Sequence, residues 1–382
     1  MIRSNKHRIV AFILIFVTFI GLVVCATKID TAKKYEDVAE NEFKVEINIV
    51  LPEKVYVANE AVVEWMNGTD TAIDIFNKYR QYGRLDYTKP VELLYTVENL
   101  PLDCQVLTQY ITVTDKDYSI EVFSQKLPAE ERTVNIENLR PDTNYEVVIQ
   151  VIFSNGRQVE KSYAFKTEPS PCFLFVDGVR NLRDIGTAKT VDGRQVKKYM
   201  LYRGAEIDGA MEPRYKITEN GIDYMLNVLN IKTEIDLRWY EEDVMSDILG
   251  PKVTHNYYSM SAYNDFFDTD HSVENAKELF SALAKPDAYP LYIHCSYGAD
   301  RTGTIIYVLE ALLGVNEETM YQEWESSVIC NGEGFYEEMD AFLVRFKSLE
   351  GNTMKEKAEN YLLSIGVTKQ EIESIREILL TD

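Results

Sequence analysis

The sequence predicts an all-β sandwich followed by an α/β domain whose parallel-rich sheet is flanked by helices, both behind a hydrophobic N-terminal segment. Three observations carry this reading. From Phe43 onward, runs such as EFKVEINIVL and YEVVIQVIF alternate apolar and polar residues between turn residues, which is the period of half-buried strands. Beyond Glu168-Pro169-Ser170-Pro171 the texture changes. Short apolar runs (MLYRG, KTEIDLR, VTHNYYSM, PLYIHC) now alternate with amphipathic stretches, as in a parallel sheet covered by helices. Ahead of both units, Ile9 to Ala26 is uncharged and mostly apolar.

The elements follow in order. Residues 1–26 combine a basic start (Arg3, Lys6, Arg8) with an apolar run at the lower bound for a spanning helix. They are expected to be a signal peptide or a membrane anchor, which puts the remainder outside the cell or on its surface. Val24-Cys25-Ala26 offers a small-residue cleavage site, so cleavage and anchoring both stay open. Residues 27–42 are rich in Lys, Glu and Asp and read as a polar stalk. Residues 43–168 form the predicted sandwich. Within it Asn59 to Tyr87 breaks the alternation, and AVVEW and TAIDIFNKYRQYG, with Gly83 as a stop, suggest a short helix or a long insertion. Residues 169–171 are the linker and 172–382 the α/β domain. Helices are predicted over EPRYKITENGIDYMLNVLN, SVENAKELFSALAK, GTIIYVLEALLG, NTMKEKAENYLLSIG and KQEIESIREILL.

A formal net charge of -22 argues against nucleic acid as a partner, because phosphate backbones demand a basic face. It does not exclude a phosphorylated substrate, since a small site can be locally positive on an acidic body. Five cysteines are too few and too scattered for a disulfide framework. A Cys104–Cys172 pair is conceivable in an exported chain, and free thiols at Cys104, Cys172 and Cys330 are the simpler expectation.

The chemistry concentrates in LYIHCSYGADRTG. A strand ends at His294, Cys295 follows, and a helix starts near Arg301 or Thr302 and runs to Gly314 as its C-cap. Ser296, Tyr297, Gly298, Ala299 and Asp300 must therefore wrap a tight loop at a helix N-terminus. Backbone N–H groups converging there, with the helix dipole, favour an anion, whether the thiolate of Cys295 or the oxygens of a phosphoryl group. Arg301 adds a planar fork that can hold two of those oxygens. The implied reaction is in-line attack of sulfur on phosphorus, with no metal and no cofactor required.

Cys-x5-Arg-Thr preceded by His resembles the signature of the cysteine-dependent protein tyrosine phosphatases, in the bacterial and fungal branch whose loop ends Asp-Arg-Thr-Gly. VRNLRDIGT (179–187) followed by LYRGAEI, and TEIDLRWYEE (233–242), resemble two further motifs of that branch. The resemblance implies Cys295 as nucleophile, Arg301 as phosphate binder, and Thr302 as hydrogen-bond partner of the sulfur. It implies His294 as a fixture of the loop and Asp300 as general acid, with Asp265, Asp268 and Asp270 as alternatives. Relatives acting on phosphoinositides carry Lys where this chain has Ala299, which removes a cation aimed at a second phosphate. Upstream, Leu139, Pro141, Thr143 and Tyr145, a Ser-Asn-Gly turn and Phe165-x-Thr167 resemble the end of a fibronectin type III domain. That sandwich is expected to be a spacer, and nothing in it names a partner.

Supporting residues follow. Asn181, Arg183 and Asp184 are expected to support the site, with Arg183 and Asp184 either paired to hold the loop before the first strand of the α/β domain or contacting substrate. Asp236 and Arg238 are expected to lock a strand end against Glu241 or Glu242. The expected function is an exported phosphomonoesterase acting on phosphotyrosine in proteins or on small phosphomonoesters. Hydrolysis of inositol phosphates or phosphoinositides, or a surface module that only captures phosphorylated ligands without turnover, is the alternative.

Overall fold

The computed structural model describes residues 43–239 and 247–382, so the expected leader (1–26) and stalk (27–42) lie outside the described residues. No helix among the described residues is long and apolar enough to cross a membrane.

The first unit is built from β1 (Glu46–Val50), β2 (Val91–Glu98), β3 (Val106–Asp115), β4 (Ile120–Leu127), β5 (Thr133–Ile136), β6 (Asn144–Phe153) and β7 (Gln158–Lys166). They form two antiparallel sheets, β1-β2-β5 and β4-β3-β6-β7. The alternation works as expected: Tyr145, Val147, Ile149, Val151 and Phe153 of β6 point into a core shared with Ile47 and Leu93 of the other sheet. The Tyr145 hydroxyl accepts a bond from the Arg140 N–H at 2.8 Å, pinning the turn that leads into β6.

Between β1 and β2 lie α1 (Glu60–Asn67), α2 (Ala72–Tyr79) and a 3-10 turn (Arg80–Tyr82) that stops at Gly83. Asn59 caps α1, and Thr71 with Asp74 makes a capping box on α2. The apolar faces of these helices, Ala61, Val62, Trp65, Ala72 and Ile75, join the core of the second unit rather than that of the sheets. The two units are further joined by a buried Arg140–Asp184 ion pair at 2.8 Å and by Asn138, which donates to Phe175 O and Tyr224 Oη, both at 2.8 Å.

The second unit carries β8 (Arg183–Asp184), β9 (Leu201–Gly204), β10 (Thr233–Asp236), β11 (Thr254–Tyr257) and β12 (Leu291–His294), in the sheet order β11-β10-β12-β9-β8. All pairs are parallel except the edge pair β8–β9. The register sets Asp236, His294 and Gly204 abreast, so three strands end together and open one crevice at their carboxyl ends. Around the sheet stand α3 (Glu219–Asn227), the short α4 (Asp265–Asp268), α5 (Asp270–Leu283), α6 (Asp300–Leu313), α7 (Glu317–Asn331), α8 (Tyr336–Lys347), α9 (Met354–Ser364) and α10 (Lys369–Leu379).

Three expectations change here. EPRYKITENGIDYMLNVLN is not one helix: a 3-10 turn at Pro213–Tyr215 precedes α3, which starts only where Thr218 caps it. The pairs α7 and α8 stand where no helix was predicted. Cys104 and Cys172 are free, buried thiols in different core clusters, so the conceivable disulfide does not form.

Candidate active site

The central strand β12 delivers Cys295, a free and buried thiol, to the crevice. The loop that follows turns on Gly298, whose φ of +67° is left-handed. A Cβ there would lie 2.1 Å from the Gly204 carbonyl oxygen at the end of β9, so only glycine fits.

The loop is fastened from behind by its carbonyls. Asn181 Nδ2 donates to Tyr297 O at 3.1 Å and to Gly298 O at 3.2 Å, and Arg203 also donates to Gly298 O. The Glu206 N–H holds Ser296 O at 3.1 Å. In a trans peptide the N–H points opposite to the carbonyl. With these carbonyls turned back, the following N–H groups turn toward the crevice. The first turn of α6 adds donors, because Ala299 at its N-cap makes no side-chain cap. Arg301 closes the ring across the loop, its Nη2 donating to Ser296 Oγ at 2.8 Å. Thr302 Oγ1 is buried without a hydrogen-bond partner among the described residues.

Asp300 opens α6. Its Oδ1 accepts from the Tyr263 hydroxyl at 2.6 Å, and Trp324 Nε1 donates to that same hydroxyl at 3.3 Å. Burial pushes the Asp300 carboxyl above the usual aspartate range, against the opposing pull of Tyr263 and Arg301. Of the alternative acids, Asp268 pairs at the surface with Arg345 at 3.0 Å, while Asp265 and Asp270 open neighbouring helices.

His294 is fully buried, with Nε2 2.9 Å from Glu234 Oε1, and Glu234 also faces His255 Nδ1 at 3.5 Å. Burial alone would raise the Glu234 carboxyl, but the imidazoles of His255 and His294 facing it hold it at about 2. Burial works against protonation of His294 as well, yet Asp236 and Glu234 raise it above the ordinary imidazole value. The ring is thereby fixed beneath the loop.

Arg183 and Asp184 do not pair with each other. Arg183 Nε bonds Glu323 Oε1 at 2.8 Å, its Nη2 bonds Ser327 Oγ at 2.9 Å, and its Nη1 holds Asn181 Oδ1. Arg203 Nη1 meets the other Glu323 oxygen at 2.5 Å. Asp184 turns instead to Arg140 of the first unit. Their side chains point to opposite faces because they are successive residues of one strand. Arg238 binds Asp236 and Asp208 at 2.7 Å and Glu206 at 2.9 Å; the expected partners Glu241 and Glu242 lie outside the described residues.

Glu323, Ser327 and Trp324 escaped the sequence reading because α7 has little apolar periodicity, and Glu234 and Tyr263 because nothing local marks them. Arg203 sat inside the quoted LYRGAEI without a role. As built, the site sets a thiol, the N–H groups of the loop, a guanidinium and a raised carboxyl on one short loop and the first turn of the helix that follows it.

The domain that holds this loop matches a known family. The model of the tyrosine phosphatase family matches residues 174–381. OCA1 of Kluyveromyces lactis, whose name assigns it provisionally to the tyrosine-protein phosphatases, is 31% identical over 98 residues. That match covers 25% of this chain and 43% of OCA1, so the chain spans less than half of that relative's length. Among solved structures, the core catalytic domain of the PP-IP phosphatase SIW14 from S. cerevisiae aligns at 14% identity and a TM-score of 0.28, over 43% of this chain and 94% of that one. A second Siw14 catalytic core aligns at 15% identity and a TM-score of 0.29, over 46% and 96%. With more than half of the chain matched, over the domain that holds this loop, the protein belongs to the tyrosine phosphatase family.

Proposed function

We propose that the protein is a cysteine-dependent phosphomonoesterase that acts on phosphotyrosine-like substrates. Cys295 attacks phosphorus as a thiolate, the S–P bond forms, and the P–O bond to the leaving group breaks. Asp300 gives its proton to the departing oxygen. Water then attacks the phosphocysteine, Asp300 takes the water's proton, and the thiolate leaves. Loop N–H groups and Arg301 hold the equatorial oxygens in both steps, and Thr302 Oγ1 donates to the sulfur as it leaves. Ser296, Tyr297, Gly298 and Ala299 supply the cradle, while His294, Asn181, Arg183 and Asp184 position it.

The observation that carries this reading is the loop's orientation, with carbonyls tied back to Asn181 and Arg203 and Arg301 closed on Ser296. The test is turnover of p-nitrophenyl phosphate in EDTA. It is expected in the wild-type chain and absent in Cys295→Ser; turnover that survives this change refutes the mechanism. Phosphotyrosine is favoured by the half-exposed ring of Tyr297 within the loop, held edge-on by the buried Tyr215 ring at 5.8 Å.

The 3 + 4 strand order and the Tyr145 corner support a fibronectin type III-like reading of residues 43–168, with 172–382 as the phosphatase domain. The apolar run at 9–26 supports export, through a segment that is either cleaved or kept as a membrane anchor. Hydrolysis of more highly phosphorylated small molecules is the second reading, favoured by the arginine-lined cleft described next.

A further inference from the structure

Beside the phosphate loop, a cleft of about 240 Å³ lies between the helical insertion of the first unit and the α/β unit. Arg80 and Arg84 enter it from the insertion, Arg180 and Arg214 from the other side. On a chain of net charge -22 such a gathering of guanidiniums runs against the general trend. Carboxylates only partly answer it. Asp86 accepts from both Arg84 Nε at 3.0 Å and Arg180 Nε at 2.8 Å, so one charge serves two. Arg214 lies 3.6 Å from Glu212, and both are solvated enough for that pair to be weak. Arg80 lies over the Phe76 ring at 5.9 Å, and no carboxylate is paired with it among the described residues. The cleft keeps a positive excess.

Its position is tied to the loop by contacts. Tyr215 packs between Arg180 and Arg214, at 5.8 and 5.4 Å, and its ring meets that of Tyr297. Asn331, on the cleft wall, donates to Tyr297 O at 3.4 Å. Asp86 also accepts from the Asn181 N–H at 2.7 Å, and Asn181 is the residue that turns the loop carbonyls back. The insertion is packed against this wall, with the Phe76 ring resting on the backbone at Gly332, where a Cβ would come within 2.1 Å of it.

We propose that this cleft is an accessory subsite for a second anionic group, phosphate or carboxylate, on the substrate whose scissile phosphate sits in the Cys295 loop. Arginine forks suit both oxyanions, and Arg80 and Arg214 are the readers, since Arg84 and Arg180 are held by Asp86. The subsite restores on another wall the cation that Ala299 lacks. It also makes the first unit part of the substrate site rather than a spacer.

The inference rests on the phosphate-loop reading, and the test separates the two. Full-length Cys295→Ser protein, with and without the double change Arg80→Ala/Arg214→Ala, is titrated calorimetrically with three probes: inorganic phosphate, a phosphotyrosine peptide flanked by glutamates, and inositol hexakisphosphate. Both arginines are exposed, so the variant is expected to fold, checked by an unchanged melting temperature. Inorganic phosphate should bind both proteins within about twofold. At least one multiply charged probe should lose about tenfold in the variant, roughly 1.4 kcal/mol. Loss on the peptide assigns a carboxylate, and loss on the inositol probe a phosphate. No loss on either, or equal loss on inorganic phosphate, overturns the subsite. If the wild-type chain fails to turn over p-nitrophenyl phosphate while the arginine-dependent preference persists, the catalytic reading fails and the subsite stands.

Discussion

Glu323→Gln is the sharpest probe of what holds the phosphate loop in place. Glu323 is shared by two buried guanidiniums, Arg183 Nε at 2.8 Å and Arg203 Nη1 at 2.5 Å. At an effective dielectric of about 20, unit charges some 4 Å apart attract by about 4 kcal/mol, so two such pairs amount to roughly 8 kcal/mol before desolvation is subtracted. Most of that is offset by burying the charges. What the substitution exposes is the remainder: two guanidiniums, each under 3% exposed, against a neutral amide. Leaving buried charge uncompensated costs about 3–5 kcal/mol. A control with the same chemistry is Glu60→Gln, because Glu60 pairs with Lys89 where both side chains are more than half exposed, and that change should cost under about 1 kcal/mol. Urea unfolding followed by tryptophan fluorescence reads the difference, aided by Trp324 one residue away. Since Arg203 also holds Gly298 O, turnover should fall about 10²-fold as the loop loses its register. Equal urea midpoints for the two variants, with turnover intact, would refute the idea that this ion ladder positions the loop.

Three further outcomes follow from the same structure. Gly298→Ala sets a methyl 2.1 Å from a backbone oxygen at left-handed φ, so loss of stability by roughly 2–4 kcal/mol with loss of turnover is expected, and near-wild-type behaviour in both would contradict the close approach. Burial raises the Asp300 carboxyl, so turnover of phosphotyrosine should decline only as pH rises through that raised value; Asp300→Asn should lower kcat by about 10²–10⁴ and abolish this limb, and an unchanged alkaline limb would move the acid elsewhere. Glu234 is held at about 2 against a usual 4.5, so its contribution, on the order of 3 kcal/mol, is complete above the unfolded value and lost as pH falls toward 2; the raised His255 and His294 contribute below about 6.5 and lose this as pH rises through their folded values. Stability should therefore peak between about 4.5 and 6.5, and Glu234→Gln should flatten the profile, whereas an identical profile would deny the cluster its role.

The legible parts of this sequence were the ones with local periodicity or local chemistry. Period-two runs gave the strands of the first unit, and LYIHCSYGADRTG announced a strand, a tight loop and a helix, because Gly298 and the Cys-to-Arg spacing are local constraints. The bracing beneath the loop was not legible. Glu323 and Ser327 lie on α7, whose buried face is polar toward the arginines, so no amphipathic period marks it. Arg183 and Asp184 looked like a pair as neighbours in sequence, yet successive strand residues face opposite sides, and each found a partner far along the chain. Asn59 to Tyr87 was visible as a break in the strand pattern. That its helices pack into the second unit, carrying Arg80 and Arg84 to the loop, depends on long-range packing that no window of residues records.

The most direct measurement is a rapid acid quench of full-length protein turning over a phosphomonoester, followed by mass spectrometry of the peptide that contains Cys295. A phosphoryl group on the Cys295 sulfur during turnover, absent in Cys295→Ser, is the predicted result. Steady turnover with no phosphoryl adduct on that peptide, or with the adduct on another residue, would contradict it.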